Sequence, residues 1–490
     1  MEDFPPPHSS RQDSKPRVGP PARFIGLIRR AATFGLAILA ILALRLWWGH
    51  VADGELRHLA DAAHARGEPF FPEDFDPQPV PDSENAGLSL RHAADAIVIE
   101  AFKLMDVMDD STFEDPPTEA NVRALDAVVA ANQKTLDLAR KARFQTKADW
   151  QIRARTPVLT TYPPRDFLGG QRLVANVTGW AALREHAHGN DREAVERLRD
   201  LVHQSQMVDR AAPRIVCNLV SIGIAEMATN HIGRIAPDLS VGGPTPTREG
   251  SPATRQQVRE LIAALMDEKE FFTGVERAWY GERMVDFDAV LHLGDGTRDP
   301  LRQFWAIKPM FDLDGVRILR QQTQTARAAI APNFPAARAA SPVAEIGDRS
   351  ELWRLSRELS NIIIPSTNRA LLQEFRVLTD RRAAATILAI RLYRLDHAGK
   401  YPPSLQELVP NYLPTAPADP MAAGGKALRY KPDAIPPVIY SVGEDGIDNG
   451  GTSLPDDTPH GYRWNQPDAV YPLARQPAAT QRSVETQDNQ

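Results

Sequence analysis

Cysteine is all but missing: Cys217 is the one cysteine in a chain of 490 residues. No intrachain disulfide can form, and no cysteine-based zinc or iron–sulfur site can be built. Inside the run IVCNLVSIGI this thiol reads as a small buried hydrophobe rather than a reactive group. Lysine is scarce, with 10 against 47 arginines. Together with abundant Ala and Pro, that composition fits a GC-rich bacterial genome. Surplus positive charge is absent as well. The net charge is −6, which argues against a nucleic-acid partner, because phosphate binding needs a concentrated basic face. The sequence has no HExxH, no GxSxG, no Walker A and no GxGxxG, so the common catalytic and nucleotide-binding signatures are excluded. What remains is a globular balance, 42% apolar and 24% charged, long enough for two or three domains.

One long apolar run is present, near the start. Residues 31–44, AATFGLAILAILAL, carry no charge, and continuation to Trp48 gives eighteen residues. At the helical rise that is about 27 Å, enough to span a bilayer core with modest adjustment. Arg45 lies close enough to the end to snorkel, and Trp47 with Trp48 forms an interfacial belt. Residues 1–30 hold six basic and three acidic groups, a net +3. The positive-inside bias therefore predicts a cytoplasmic N-terminus and an extracytoplasmic bulk. A cleaved signal peptide is the competing reading, but the run ends in RLWWGH with no small-x-small cleavage site.

The expected organisation is mainly α. A disordered cytoplasmic tail (1–22) precedes a transmembrane anchor (23–49). A helical domain (50–236), a Pro- and Gly-rich linker (237–252) and a continued helical domain (253–380) follow. A small α+β cap (381–463) and a disordered polar tail (464–490) close the chain. Helices are expected over 51–65, 88–109, 117–143, 253–292, 300–331 and 345–399, from apolar i, i+3, i+4 spacing and turn signals. Residues 170–235 read as a helical hairpin turning at Gly189-Asn190-Asp191, with Ala181, Ala182 and Ala194 where two helices approach. The unit is weakly tetratricopeptide-like, but only one copy is clear and a solenoid needs about three.

Several polar clusters admit two readings. Glu55 and His58 form an ExxH that lacks the second copy a carboxylate-bridged metal site needs. His186 and His188 are two apart and do not share a helix face; His203 lies nearby in sequence. The segment 267–288 is dense in carboxylates, and Glu282 and Asp286 are four apart. Glu268, Glu282, Arg283 and Asp286 are the best residues for an enzyme site between helices. Interleaved Lys269, Arg277 and Arg283 favour ordinary i, i+4 ion pairs instead. The segment 439–451 is an apolar run followed by a glycine-punctuated acidic loop, GEDGIDNGG from Gly443. Asp445 and Asp448 project hard oxygens from one turn, as calcium requires, although EF-hand spacing is absent. A plain polar β-turn is the other reading.

Residues about 382–451 resemble the globular half of the major pseudopilins of type II secretion systems. The resemblance is carried by Gly399-Lys400-Tyr401-Pro402, Ser404-Leu405, Glu407-Leu408, Pro417-Ala418-Asp419-Pro420, Tyr430 and Tyr440-Ser441-Val442-Gly443-Glu444-Asp445-Gly446. It covers about a seventh of the chain. It implies a small sheet and a calcium ion held by the Asp445 side chain and the Val442 backbone. Asp448 is the nearest candidate for the second acidic ligand, with Asp456 or Asp457 as alternatives. The chain departs from that family at its N-terminus. The apolar helix lies more than 330 residues upstream of the matching region and lacks the Phe-Thr-Leu-x-Glu start, which speaks against polymerisation. The remainder is similar to bacterial membrane-anchored helical proteins, a likeness that brings no activity with it. The function expected is structural or adaptor-like rather than enzymatic. Partners would be membrane lipid through 23–49 and other envelope proteins, with a small-molecule substrate not anticipated. An enzyme using the acidic segment and an atypical pseudopilin are the rivals.

Overall fold

The computed structural model describes residues 22–100, 118–158, 165–242, 250–292, 308–341, 358–452 and 463–475. The tails expected at the two ends fall outside these residues, save Ala22 and residues 464–475.

Helix α1 runs unbroken from Ala22 to Ala65, 44 residues. The sequence reading divides this stretch into an anchor and a separate helix from residue 51; no break parts them. An apolar window within 29–65 has mean hydropathy 1.8, and none of it is buried inside the protein. Further along, Ala52, Leu56, Ala60 and Ala63 recur at helical spacing and are all buried. Leu56, Ala60 and Ala63 pack with Phe70, Phe287, Val316 and Leu319.

Helix α2 spans Ala86–Asp95, capped by the Asn85 side chain accepting from the Leu88 backbone N–H at 3.4 Å. It ends at Asp95, and residues 101–109 of the expected helix lie outside the described residues. The helix expected over 117–143 is two, α3 (Glu119–Ala131) and α4 (Gln133–Arg143). Asn132 sits at the join. Its side chain accepts from the Val98 N–H at 2.8 Å and donates to the Val128 carbonyl at 3.0 Å. An asparagine that bonds backbone groups in this way competes with helix continuation.

Helices α5 (Arg165–Ala187) and α6 (Asp191–Asp209) form the expected hairpin. Gly189 takes a φ of 76° in the turn, and Ala181, Ala182 and Ala194 are buried between helices. Helix α7 (Ile215–Ile235) is apolar enough to pass for a second span, but 61% of its apolar window is buried in the protein. It is a core helix. The helix expected over 253–292 is broken at Asp267 into α8 (Arg255–Met266) and α9 (Glu268–Leu291). Helices α10 (Lys308–Ala329), α11 (Phe334–Ala340) and α12 (Glu358–Asp396) complete the body.

The cap carries a three-stranded antiparallel sheet in the order β1 (Arg429–Lys431), β2 (Val438–Ser441), β3 (Ala469–Pro472). Ile439 on the central strand lies opposite Tyr430 on one side and Tyr471 on the other. The third strand corrects the reading that ends the cap at 463 and begins a disordered tail. Ala469, Tyr471 and Leu473 alternate inward and are buried, a period-two pattern hidden in a polar stretch. One hydrophobic cluster runs from Leu90 through Leu198, Trp279 and Leu388 to Ile439 and Tyr471. The boundaries expected at 237–252 and 381 therefore do not separate independent cores.

Candidate functional site

The acidic loop is ordered by carboxylates on its inner side. Asp419, fixed in its Pro-flanked turn, accepts from the Met421 N–H (3.0 Å), the Ser441 hydroxyl (2.7 Å) and the Val442 N–H (3.1 Å). Buried Asp468 accepts from the Asn449 and Gly451 N–H groups at 3.3 and 2.7 Å. Gly443 has a φ of 69°, and a Cβ there would meet the Pro467 carbonyl oxygen at 2.3 Å, so only glycine fits.

The expected ligands are already engaged. Asp445 accepts from the Ile447 N–H at 2.9 Å. One oxygen of Asp448 accepts from Tyr440 (3.1 Å) and the Gly450 N–H (3.0 Å), and the other accepts from Arg429 Nε at 3.1 Å. Lys431 donates to the Gly450 carbonyl. Two cationic side chains from β1 thus occupy oxygens that a metal would use. Among the described residues no three His, Cys, Asp or Glu side chains gather, and Asp456 and Asp457 lie outside those residues.

The four residues of the acidic helix face different partners. Glu268 takes a two-point bond from Arg382 at 2.6 and 2.7 Å. Glu282 accepts from Arg214 at 3.0 Å and from the Ile215 N–H at 3.2 Å. Asp286 accepts from Gln322, and burial plus the neighbouring Glu282 carboxylate pushes its carboxyl up to about 7. Arg283 is 1% exposed and donates to Glu68 (2.8 Å), the Thr323 hydroxyl (3.0 Å) and the Pro69 carbonyl (2.9 Å). It also lies over the Phe70 and Tyr280 rings. In place of the expected i, i+4 pairs, Glu268, Glu282 and Arg283 pair with residues distant in sequence.

The remaining clusters disperse similarly. Glu55 pairs with Arg320 at 2.7 Å. His186 pairs with Asp191 at 2.5 Å and His188 with Asp126 at 2.9 Å. Burial pushes the His203 imidazole down to about 4 and the Cys217 thiol up to about 12. An inert buried thiol follows.

The feature that sequence reasoning missed is a cleft of about 910 Å³ between α5, α7, α12 and β3. At its cap side, Asp380 of α12 accepts from the Tyr471 hydroxyl (2.6 Å) and the Trp464 indole N–H (3.3 Å). Arg463 joins them, 3.5 Å from Asp380 and stacked over the Tyr471 ring, and donates to Asn230 at 2.9 Å. This latch ties cap to body. Opposite it lies His231 on α7, whose buried Nδ1 has no hydrogen-bond partner. Burial and the nearby Arg234 charge push its imidazole down to about 3, so it is neutral at ordinary pH. Gly223, Met227, Asn230 and Arg234 follow i, i+4, i+7, i+11 spacing. A stripe of glycine and polar residues along an apolar helix was the available signal.

Comparison with known proteins finds no match among family models, curated proteins or solved structures.

Proposed function

We propose that this chain is a single-pass protein of the bacterial inner membrane, with a cytoplasmic N-terminus and an extracytoplasmic body acting as a structural or adaptor element of the envelope. Secretion or pilus-like machinery is the class of assembly it would serve, on the likeness of its cap. The observation carrying this reading is the division of α1. Up to Trp47 it presents Leu39, Ile41, Leu44 and Trp47 bare, each more than 60% exposed, while from Ala52 onward it is sewn into the body. So large an apolar surface needs a cover, and a bilayer supplies one. Arg29 and Arg30 on one side and the Trp47–Trp48 pair on the other suit the two interfaces. The fixed pairing of Glu268, Glu282 and Arg283 with three separate segments of the chain supports a structural role for the acidic segment over a catalytic one.

Fusions test the topology. Alkaline phosphatase fused after the last residue should be active, and green fluorescent protein fused before the first should fluoresce. The reverse pattern, or release of the full chain from membranes by alkaline carbonate, overturns the proposal. Crosslinking in intact cells should then recover envelope proteins with the chain.

A further inference from the structure

We propose that the cleft between the helical body and the cap binds a small organic anion with a flat apolar part. This goes beyond the anchoring role and stands on different residues.

The cleft is kept open by what α7 omits. Glycine inside a helix is destabilising relative to alanine, so it needs a reason to be there. Gly179, on α5, has one: a Cβ would lie 2.6 Å from His231 Nε2. Gly223 and Gly233 both line the cleft, and nothing lies within 4 Å of a Cβ built on either. Close packing does not explain these two glycines; a side chain at either would extend into the cleft. Its volume lies within the range of pockets for small molecules, roughly 300–1,000 Å³.

The lining selects the ligand. Arg234, Arg463 and Arg475 face the space against Glu226 and Asp380. Three arginines thus line the cleft against two acids, one of which, Asp380, is paired with Arg463. Arg475 is held by Asp238 at 2.9 Å and Arg463 by Asn230, so both guanidinium groups are already positioned. Preorganised guanidinium groups suit a carboxylate or phosphate. Trp180, Met227 and Ile387 give the apolar walls that a flat ring packs against.

Two soluble probes test this on the full chain in zwitterionic nanodiscs: phenyl phosphate and indole-3-acetate, titrated by calorimetry. Phenol and inorganic phosphate serve as half-ligands. At least one probe should bind in the millimolar range or tighter, and each half-ligand at least about tenfold more weakly. Gly223→Leu fills the cleft with a better helix former and should weaken binding at least about tenfold without lowering the melting temperature. Arg234→Gln should weaken the anions and leave phenol unchanged. Failure of both probes up to about 10 mM overturns the proposal. So does binding that survives Gly223→Leu, or inorganic phosphate binding as tightly as phenyl phosphate.

Discussion

The molecule has two joints, and they bury opposite charges. Where α1 meets the body, the buried charge is a cation, Arg283, answered by Glu68 from the segment just after α1. Where the body meets the cap, it is an anion, Asp380, answered by Arg463, Tyr471 and Trp464. Burial works against both charged forms. At the first joint burial raises the Glu68 carboxyl, but hydrogen bonds from Arg66, Arg283 and Arg327 outweigh it and hold Glu68 down at about 2. At the second joint burial wins, and the Asp380 carboxyl lies above its usual value despite Arg463. A charged partner is therefore not enough by itself: each carboxylate faces three donors, but those of Glu68 are all cationic and its burial is partial, whereas two of those of Asp380 are neutral and its burial is complete.

The sharpest way to break this comparison is to remove each buried charge. Arg283→Ala leaves Glu68 with two arginines and empties the space between Phe70 and Tyr280. It should cost about 3–5 kcal/mol in urea unfolding of the detergent-solubilised chain. A loss under about 1 kcal/mol removes Arg283 from the joint. Asp380→Ala strands a tyrosine hydroxyl, an indole N–H and a guanidinium, and should cost about 2–3 kcal/mol. Hydrogen exchange should speed in β3 and stay unchanged at Leu56 and Phe287; a uniform increase counts against a local latch.

Acid should separate the joints. The folded pKa of Glu68 is depressed, so its contribution is full above about 4.5 and is lost as pH falls through about 2. The folded pKa of Asp380 is raised, so its contribution is full below about 3.8 and is lost as pH rises through the folded value. The stability gap between wild type and Glu68→Gln should shrink on acidification, and that between wild type and Asp380→Asn should grow. Measured across about pH 3 to 6, two gaps moving the same way would refute the opposition.

The smallest effect concerns the loop. Arg429→Ala or Lys431→Ala should loosen residues 443–452 by about 0.5–1 kcal/mol in local exchange. Adding calcium or a chelator should leave those rates unchanged in the wild-type chain. Slower exchange with calcium would restore the ion to the loop.

Local pattern made much of the fold legible. The Gly189 turn, the three alanines of the α5–α6 hairpin and the apolar run of β2 were all readable from spacing. Breaks at Asn132 and Asp267 were not: the Asn132 side chain takes the Val98 N–H, and the Asp267 carbonyl takes the Arg381 guanidinium, both from distant parts of the chain. The third strand hid for the same reason: Ala469, Tyr471 and Leu473 count as inward only once β2 lies beside them. At the candidate sites, sequence grouped Glu268, Glu282, Arg283 and Asp286 by proximity along one helix, and the fold sends them to separate partners. The cleft was invisible because Trp180, His231, Ile387 and Arg475 converge only in three dimensions.

The seamlessness of Ala22–Ala65 has a mechanical consequence. At the helical rise it is a shaft of about 66 Å with no swivel at the water boundary. A turn of the greasy segment about its own axis must sweep the whole body through the same angle. On the proposed topology, the compass bearing of the cleft relative to any neighbour is set inside the bilayer.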